Sequence, residues 1–423
     1  MNKFFYKFNL VLQDKVLRNR ILFTIGMLAA FRLLAAIPIP GVDHNALGNL
    51  FNNNQFLGLL NIFSGGGLSQ VSIVMLGVGP YITASIIMQL MTVLSPRLKE
   101  IYSEEGEAGR HKFAQWSRLL TIPLALIQSF AFLKLLQGQG ILGSVTGFGL
   151  LTNILVITTG SILLMWIGEL ITEYGIGNGV SLIIFAGIVS RLPSSISQLA
   201  FTFQASQIPL YLVFAAIALL VIAAVVVITE AERPIPVTYA KQVRGNKVYG
   251  GSSTYLPLRL NQAGVIPIIF GLSILLFPQL IAKYLLTSSH HSIVLVAGWV
   301  NTFLSNNWAY GIAYFLLVFI FTYFYTAVTF DPDAISENLQ KSGAFIPGVR
   351  PGQSTADYIS KILTRLTLFG ALFLGLIAVL PLIVRGITGI TSLTVGGTAL
   401  IIVVTVVIDL VKKIDAQVSI REY

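Results

Sequence analysis

Residues 63–94 read FSGGGLSQVSIVMLGVGPYITASIIMQLMTVL. Three consecutive glycines, Gly65, Gly66 and Gly67, open the segment, and an apolar stretch from Val74 to Leu94 follows. That stretch has the ~20 residues a helix needs to cross a bilayer. Consecutive glycines make the backbone permissive at an entropic cost, so a phosphate cradle, a slack linker and a moving part are the three readings to separate. A nucleotide loop requires G-x-x-x-x-G-K-[ST], with its lysine on the phosphates. No lysine is present here, and the phosphate reading fails.

The rest of the chain settles the class. Of its 423 residues 55% are hydrophobic and 10% charged, with a mean hydropathy of +0.81, against roughly 25% charged in a soluble domain. This composition reads as an all-α polytopic membrane protein. Ten windows have the length and apolarity of spans: 20–38, 74–94, 118–136, 151–171, 179–199, 209–229, 262–282, 308–328, 366–384 and 395–411. The opening segment MNKFFYKFNLVLQDKVLRNR is basic and amphipathic and lacks a cleavage site, so the first span is expected to act as its own signal. Zero cysteines exclude disulfides and thiolate chemistry.

Orientation follows from the basic residues. With the N-terminus inside, only Lys134, Arg191, Lys283 and Arg385 fall in outer segments and Arg32 within a span, and the rest of the 27 Lys and Arg lie on the inner side. Both termini are therefore expected to be cytoplasmic, and the net charge of +10 belongs to inner loops. Two of these, 230–261 and 329–365, are long and polar. Such loops either anchor topology on anionic lipid or receive a soluble partner, and composition leaves both open. Ten spans divide five and five around the neutral connection 201–208. An odd number per half implies inverted halves if they arose by duplication, 1–200 and 209–423.

Catalytic patterns fail one by one. GIGNGVS at 175–181 has no βαβ context and reads as a tight turn between spans four and five. His44, His111, His290 and His291 all fall in expected loops, and no two aspartates share membrane depth. Arg32, Glu169 and Asp409 sit toward span ends, where snorkelling explains them. No metal site or cofactor is expected. Spans two and seven, in contrast, open on small and polar residues: Gly77, Pro80, Thr83 and Gln89 in one, Asn261 and Pro267 in the other. Such residues suit close helix packing or a hydrated path. A secondary transporter with an inverted repeat remains the rival reading at this point.

Six blocks are more specific: NIFSGGGLSQVSIVMLGVGPYITASIIMQLMTVLSPRLKE, EGEAGRHKFAQWSR, WIGELITEYGIGNGVSLIIFAGIVSRLP, STYLPLRLNQAGVIPIIFGLSILLFP, NLQKSGAFIPGVRPG and GGTALIIVV. In this order they resemble the bacterial SecY family, channel subunits of the Sec protein translocase. The resemblance implies a protein-conducting channel of the plasma membrane, not an enzyme: a clamshell of two inverted five-helix halves around an hourglass pore. Carried over by motif, the pore ring would be Val78, Ile82, Val180, Ile184, Ile269 and Ile402. Two members are Val, one methylene shorter than Ile, so closure would lean more on a plug. That plug, a re-entrant helix over about 58–73, would include Phe63, Ser64, Gly65, Gly66, Gly67 and Leu68, with the glycines as hinge. A lateral gate to lipid would run through Gly77, Pro80, Thr83, Gln89, Asn261 and Pro267, closed by re-forming hydrogen bonds. Arg244, Lys247 and Arg350 would dock the SecA motor ATPase and the ribosome. Further implied partners are the SecE and SecG subunits, signal peptides, nascent chains and membrane lipid. The tail after Lys413 is only ten residues, which puts any tail contact in doubt.

Overall fold

The computed structural model describes residues 13–40, 67–103, 105–138, 142, 147–190, 193, 197, 208–240, 242–244, 247–249, 253–286, 290–388 and 396–419. Helix α1 (Lys15–Ala35) starts on Asp14, whose carboxylate accepts the Val16 N–H at 2.9 Å. A 3-10 turn (Gly67–Gln70) precedes α2 (Gly79–Leu94), followed by α3 (Pro96–Ser103), α4 (Gly106–Gly138), α5 (Gly147–Tyr174), α6 (Gly179–Val189) and α7 (Ile208–Glu230). The second half carries β1 (Glu232–Tyr239), β2 (Gln242–Arg244), β3 (Lys247–Tyr249), β4 (Ser253–Arg259), α8 (Ile266–Leu285), α9 (His291–Ser305) and α10 (Asn307–Thr329). It ends with α11 (Pro332–Lys341), β5 (Ala344–Phe345), α12 (Gln353–Thr388) and α13 (Gly396–Ser419).

A helix falls on each of the ten expected windows. Boundaries differ where backbone chemistry overrides apolarity. Window 74–94 becomes a turn before α2, because Gly77 sits at φ +58 and Pro80 lacks the N–H an interior helical residue donates. Window 262–282 likewise starts late, after Gly264 at φ +61. Helices α4 and α12, with 33 and 36 residues, are about 50 Å and 54 Å long at 1.5 Å per residue, well beyond the ~30 Å hydrocarbon core. Their surplus turns stand out of the membrane, and His111 lies on the extended part of α4 rather than in a loop.

The spans are helical as expected, and small strands are added in the loops between them. Inner loop 230–261 folds into antiparallel strands, β1 pairing β4 from Glu232↔Arg259 to Thr238↔Ser253, while β5 from the other inner loop joins β1 at Thr238 and Tyr239. The sheet order is β4-β1-β5. Pro234 and Pro236 are tolerated because β5 covers only the last two residues of β1, leaving the proline stretch a free edge. Ile235 and Val237 point to a common buried face with Leu258, Ala344, Ile346, Ile359 and Ile362. The two loops therefore share one core and form a single unit, named the inner unit for the side expected from the charge bias.

In the membrane region the first and second halves meet along two seams, α8 against α2 and α4, and α6 against α13. Ion pairs tie helices within each half: Arg118–Glu169 at 2.7 Å joins α4 to α5, and Lys412–Glu230 at 2.8 Å joins α13 to α7. Glu169 thus has a partner and not only a position near a span end.

Candidate functional site: an apolar constriction between two halves

Val78 caps α2 and Ile82 lies one turn on, so both side chains share a face. Val180 and Ile184 stand in the same relation on α6, whose entry is built by the 175–178 bend. There Asn178 accepts the Ser181 N–H at 3.1 Å, and Thr24 Oγ1 of α1 accepts the Ile176 N–H at 3.2 Å. Gly177, at φ +95, makes the reversal possible. A Cβ on Gly179 would strike the Gly168 carbonyl, so glycine there sets the close α5–α6 approach. Ile269 comes from α8 and Ile402 from α13.

These six residues from four helices and both halves lie in one apolar cluster. Val78, Ile184 and Ile402 are at most 1% exposed, Ile82 and Ile269 are also buried, and Val180 packs partly buried against them. Ile86 and Ile188 belong to the same cluster. Sequence reasoning missed both, although each continues its helix face by one more i, i+4 step. Branched aliphatic side chains of this kind offer no hydrogen bond to water or ions, and the cluster they share extends into most of the other spans.

Phe63, Ser64, Gly65 and Gly66 lie outside the described residues. Gly67 and Leu68 begin the 3-10 turn, and Leu68 is buried with Val71 and Met75 against Phe132, Leu133 and Leu136 of α4. Downstream the chain is fastened. The Ile39 N–H donates to Val71 O and the Ile73 N–H to Ile37 O, both at 3.0 Å, a two-bond bridge to the end of α1. Ser161 Oγ donates to Gly77 O at 2.8 Å, and a Cβ on Gly160 of α5 would strike the Ile73 carbonyl. Gly67 itself is crowded, since a Cβ would sit 2.8 Å from Ser72 Oγ and 3.1 Å from Val74 O. It is a packing glycine.

The expected gate residues lie at the start and along the length of α2 and on the approach to α8, and the hydrogen bonds of Thr83, Gln89 and Asn261 are local. Thr83 Oγ1 donates to Gly79 O at 3.0 Å, Gln89 Nε2 to Ser85 Oγ at 3.3 Å and Asn261 Nδ2 to Gly264 O at 3.2 Å. Pro80 and Pro267 are buried at the helix starts. Gln89 Oε1 and Asn261 Oδ1 are buried acceptors lacking a partner among the described residues. A buried acceptor without a partner is costly.

On the inner unit, Arg244 and Lys247 pair across the β2–β3 ribbon. Arg350 is exposed on a tight loop between Gly348 at φ +83 and Gly352 at φ +94. Two buried hydroxyls hold that loop: Thr355 Oγ1 donates to Arg350 O at 2.8 Å and Ser336 Oγ to Gly352 O at 2.6 Å. The fold thus fixes the backbone carrying Arg350 and leaves its guanidinium in solvent.

Comparison with known proteins gives the same frame. The chain is similar to the protein translocase subunit SecY of Mycobacterium tuberculosis, 42% identical over 429 residues and 96% of either chain. It is equally similar to that of Thermus thermophilus, 42% identical over 97% of this chain and 95% of the relative. Its fold is similar to a structure described as a protein conducting channel, with a TM-score of 0.64 at 19% identity covering 94% and 92% of the two chains. It is also similar to Sec61 in the canine ribosome-channel complex from the endoplasmic reticulum, with a TM-score of 0.59 at 18% identity and the same coverage. The SecY family profile matches residues 72–411, and with this match and these identities the chain belongs to the SecY family.

Proposed function

We infer that this chain is a protein-conducting channel that passes unfolded polypeptides across the membrane and releases apolar segments sideways into lipid. The observation that carries the reading is that branched aliphatic residues of α2, α6, α8 and α13, from both halves, belong to one apolar cluster that runs through most of the spans. A narrow aliphatic waist disfavours water, as in constrictions that gate by dewetting, yet it parts around an extended chain of any sequence because it makes no specific bond. A small-solute transporter instead needs polar groups that converge on its substrate, and the six ring residues are all aliphatic.

Val78, Ile82, Val180, Ile184, Ile269 and Ile402 act as the pore ring in this reading. With a photo-crosslinking amino acid at Val78 or Ile269, a stalled secretory chain is expected to crosslink at both positions. Crosslinks that required a small ligand, or none with a nascent chain, would overturn it.

Residues about 58–73 act as the plug, resting through Leu68 on α4 and moving about Gly65 and Gly66. Removal of 62–70 is expected to raise resting ion flux in reconstituted vesicles, since an apolar stopper has been withdrawn. Flux equal to that of the intact chain would sink the plug assignment.

The inner unit receives the SecA motor ATPase or the ribosome, with Arg350, Arg244 and Lys247 as contacts. An Arg held on a stiff loop suits bidentate recognition of carboxylate or phosphate. SecE and SecG complete the complex, in a bacterial plasma membrane with both termini cytoplasmic and the 201–208 connection as external hinge. Ser336→Ala and Thr355→Val each remove one hydrogen bond of about 1 kcal/mol, a factor of ~5 in loop order. Motor-driven translocation is expected to fall by a similar factor at sub-saturating motor and to recover at saturation. An equal loss at saturation would mean that the hydroxyls serve the fold rather than docking.

A further inference from the structure

The outer ends of α10 and α12 enclose a feature that neither the pore nor the inner unit uses. A groove of about 380 Å³ is lined by Asn307, Trp308, Gly311, Ile312 and Phe315 of α10 and by Leu382 of α12, among others. Its side of the membrane follows from the fold. Helix α12 leaves the inner unit at Gln353, and Leu382 lies 29 residues on, about 44 Å along the axis, which is more than the ~30 Å hydrocarbon thickness. The groove therefore opens in the leaflet opposite the inner unit.

We propose that this groove holds one acyl chain of an outer-leaflet phospholipid. Both walls belong to helical stretches long and apolar enough to span a bilayer, so the groove is continuous with the lipid-facing surface. Its rim residues face outward, Trp308 at 68%, Ile312 at 62% and Leu376 at 57% exposed. Along α10 the lining runs from Asn307 to Leu316, about 15 Å of helix, half the hydrocarbon thickness. That depth fits a lipid tail confined to one leaflet, whereas a partner's transmembrane helix needs a groove that continues to the other side.

A second observation sets the level of the lipid headgroup. Helix α9 precedes α10 directly and, with 15 residues, is about 22 Å long, too short to span. Leu295, Val296, Trp299 and Phe303 form one exposed stripe on it at helical spacing, with the Trp299 and Phe303 rings stacked at 6.1 Å. That apolar stripe faces outward on a helix with no Asp, Glu, Lys or Arg. Asn306 Oδ1 then accepts the Trp308 N–H at 3.0 Å and turns the chain into α10. Trp299 and Trp308 thus mark the interface on both sides of that turn, where tryptophan is favoured, and the groove descends from it. With no charged side chain among the described residues of its lining, the site selects hydrocarbon rather than headgroup charge.

Gly311 supplies the test, because the missing side chain leaves the groove open beneath Trp308. A Cβ there would already touch Val379 Cγ1 at 3.3 Å and Leu382 Cδ1 at 3.5 Å, so a bulky substitute must fill the groove. In detergent-solubilised complex whose sole tryptophan is Trp308, phospholipid with dibrominated chains is expected to quench fluorescence saturably. Half-saturation should rise at least tenfold in Gly311→Phe and in Leu376→Trp, the latter read as loss of one retained phospholipid by native mass spectrometry because it adds a second tryptophan. Leu376 is largely exposed, so that variant stays informative if Gly311→Phe misfolds, and Gly298→Phe on α9, where a Cβ meets nothing within 4 Å, should leave both readouts unchanged. Non-saturable quenching, indifference to both groove variants, or photo-crosslinks from Ile312 to a protein instead of a lipid would each overturn the assignment.

Discussion

Replacing Ile184 by Asp is expected to make the resting channel conduct ions. The side chain is 1% exposed and sits among Val78, Ile82, Ile269 and Ile402 in an apolar cluster. A lone carboxylate buried there costs several kcal/mol even after relaxation. Hydrating the waist relieves that cost, and an hourglass with a wet waist leaks. Each 1.4 kcal/mol shifts the closed-to-hydrated balance about tenfold, so resting conductance in planar bilayers should rise by at least that factor. Ile184→Leu conserves volume and costs under ~1.5 kcal/mol, so its conductance should stay near that of the unaltered channel. A folded Asp variant that seals as well as Ile would remove the cluster from the permeation path. The leak should appear with the plug residues intact, which separates a damaged ring from a missing plug.

Arg350→Glu should give the second large effect, a loss of motor-driven translocation with the fold preserved. Because the side chain is exposed, the substitution is expected to change stability by no more than ~0.5 kcal/mol. The carbonyl bonds from Thr355 and to Gly352 do not involve the guanidinium, so the loop keeps its shape. Placing like charges face to face in an interface costs several kcal/mol, and translocation into inverted vesicles should drop by ~100-fold or more. Arg350→Lys keeps the charge but loses the planar fork and should fall between the two. Normal translocation by a folded Glu variant would move the docking surface elsewhere, toward the β2–β3 ribbon with Arg244 and Lys247. The hydroxyl substitutions at Ser336 and Thr355 should act in the same direction and more weakly, because they loosen the loop without reversing its charge.

Both experiments address residues whose selection came from motif resemblance. Val78, Ile82, Val180 and Ile184 stand at i, i+4 in ordinary apolar spans, and nothing in that spacing distinguishes a pore face from a lipid face. The gate residues were legible as small and polar positions, but their bonding was not. Thr83 and Gln89 turned out to bond within their own helix, because a side chain three or four residues from a free carbonyl or hydroxyl finds it before the chain is packed. Gly67 was legible only as permissive backbone. Its crowding by Ser72 and Val74 depends on the turn that brings residues 71–78 under α1 and α5.

The sequence by itself determined the membrane class, the ten helical windows and the charge asymmetry of the segments between them, because lipid forces every span to satisfy its backbone internally and apolar length is a local property. It also carried, unread, the alternation of Ile235 and Val237 with prolines that marks β1. Only the tertiary structure decided that the two inner loops share one sheet and one core, that four helices of two halves converge on a single apolar cluster, and that α10 and α12 leave a groove above Gly311. Those arrangements join residues far apart in the chain, Gly311 with Leu382 in the groove and Val78 with Ile402 in the cluster, and the energy that fixes them is contact between surfaces that no local pattern pairs.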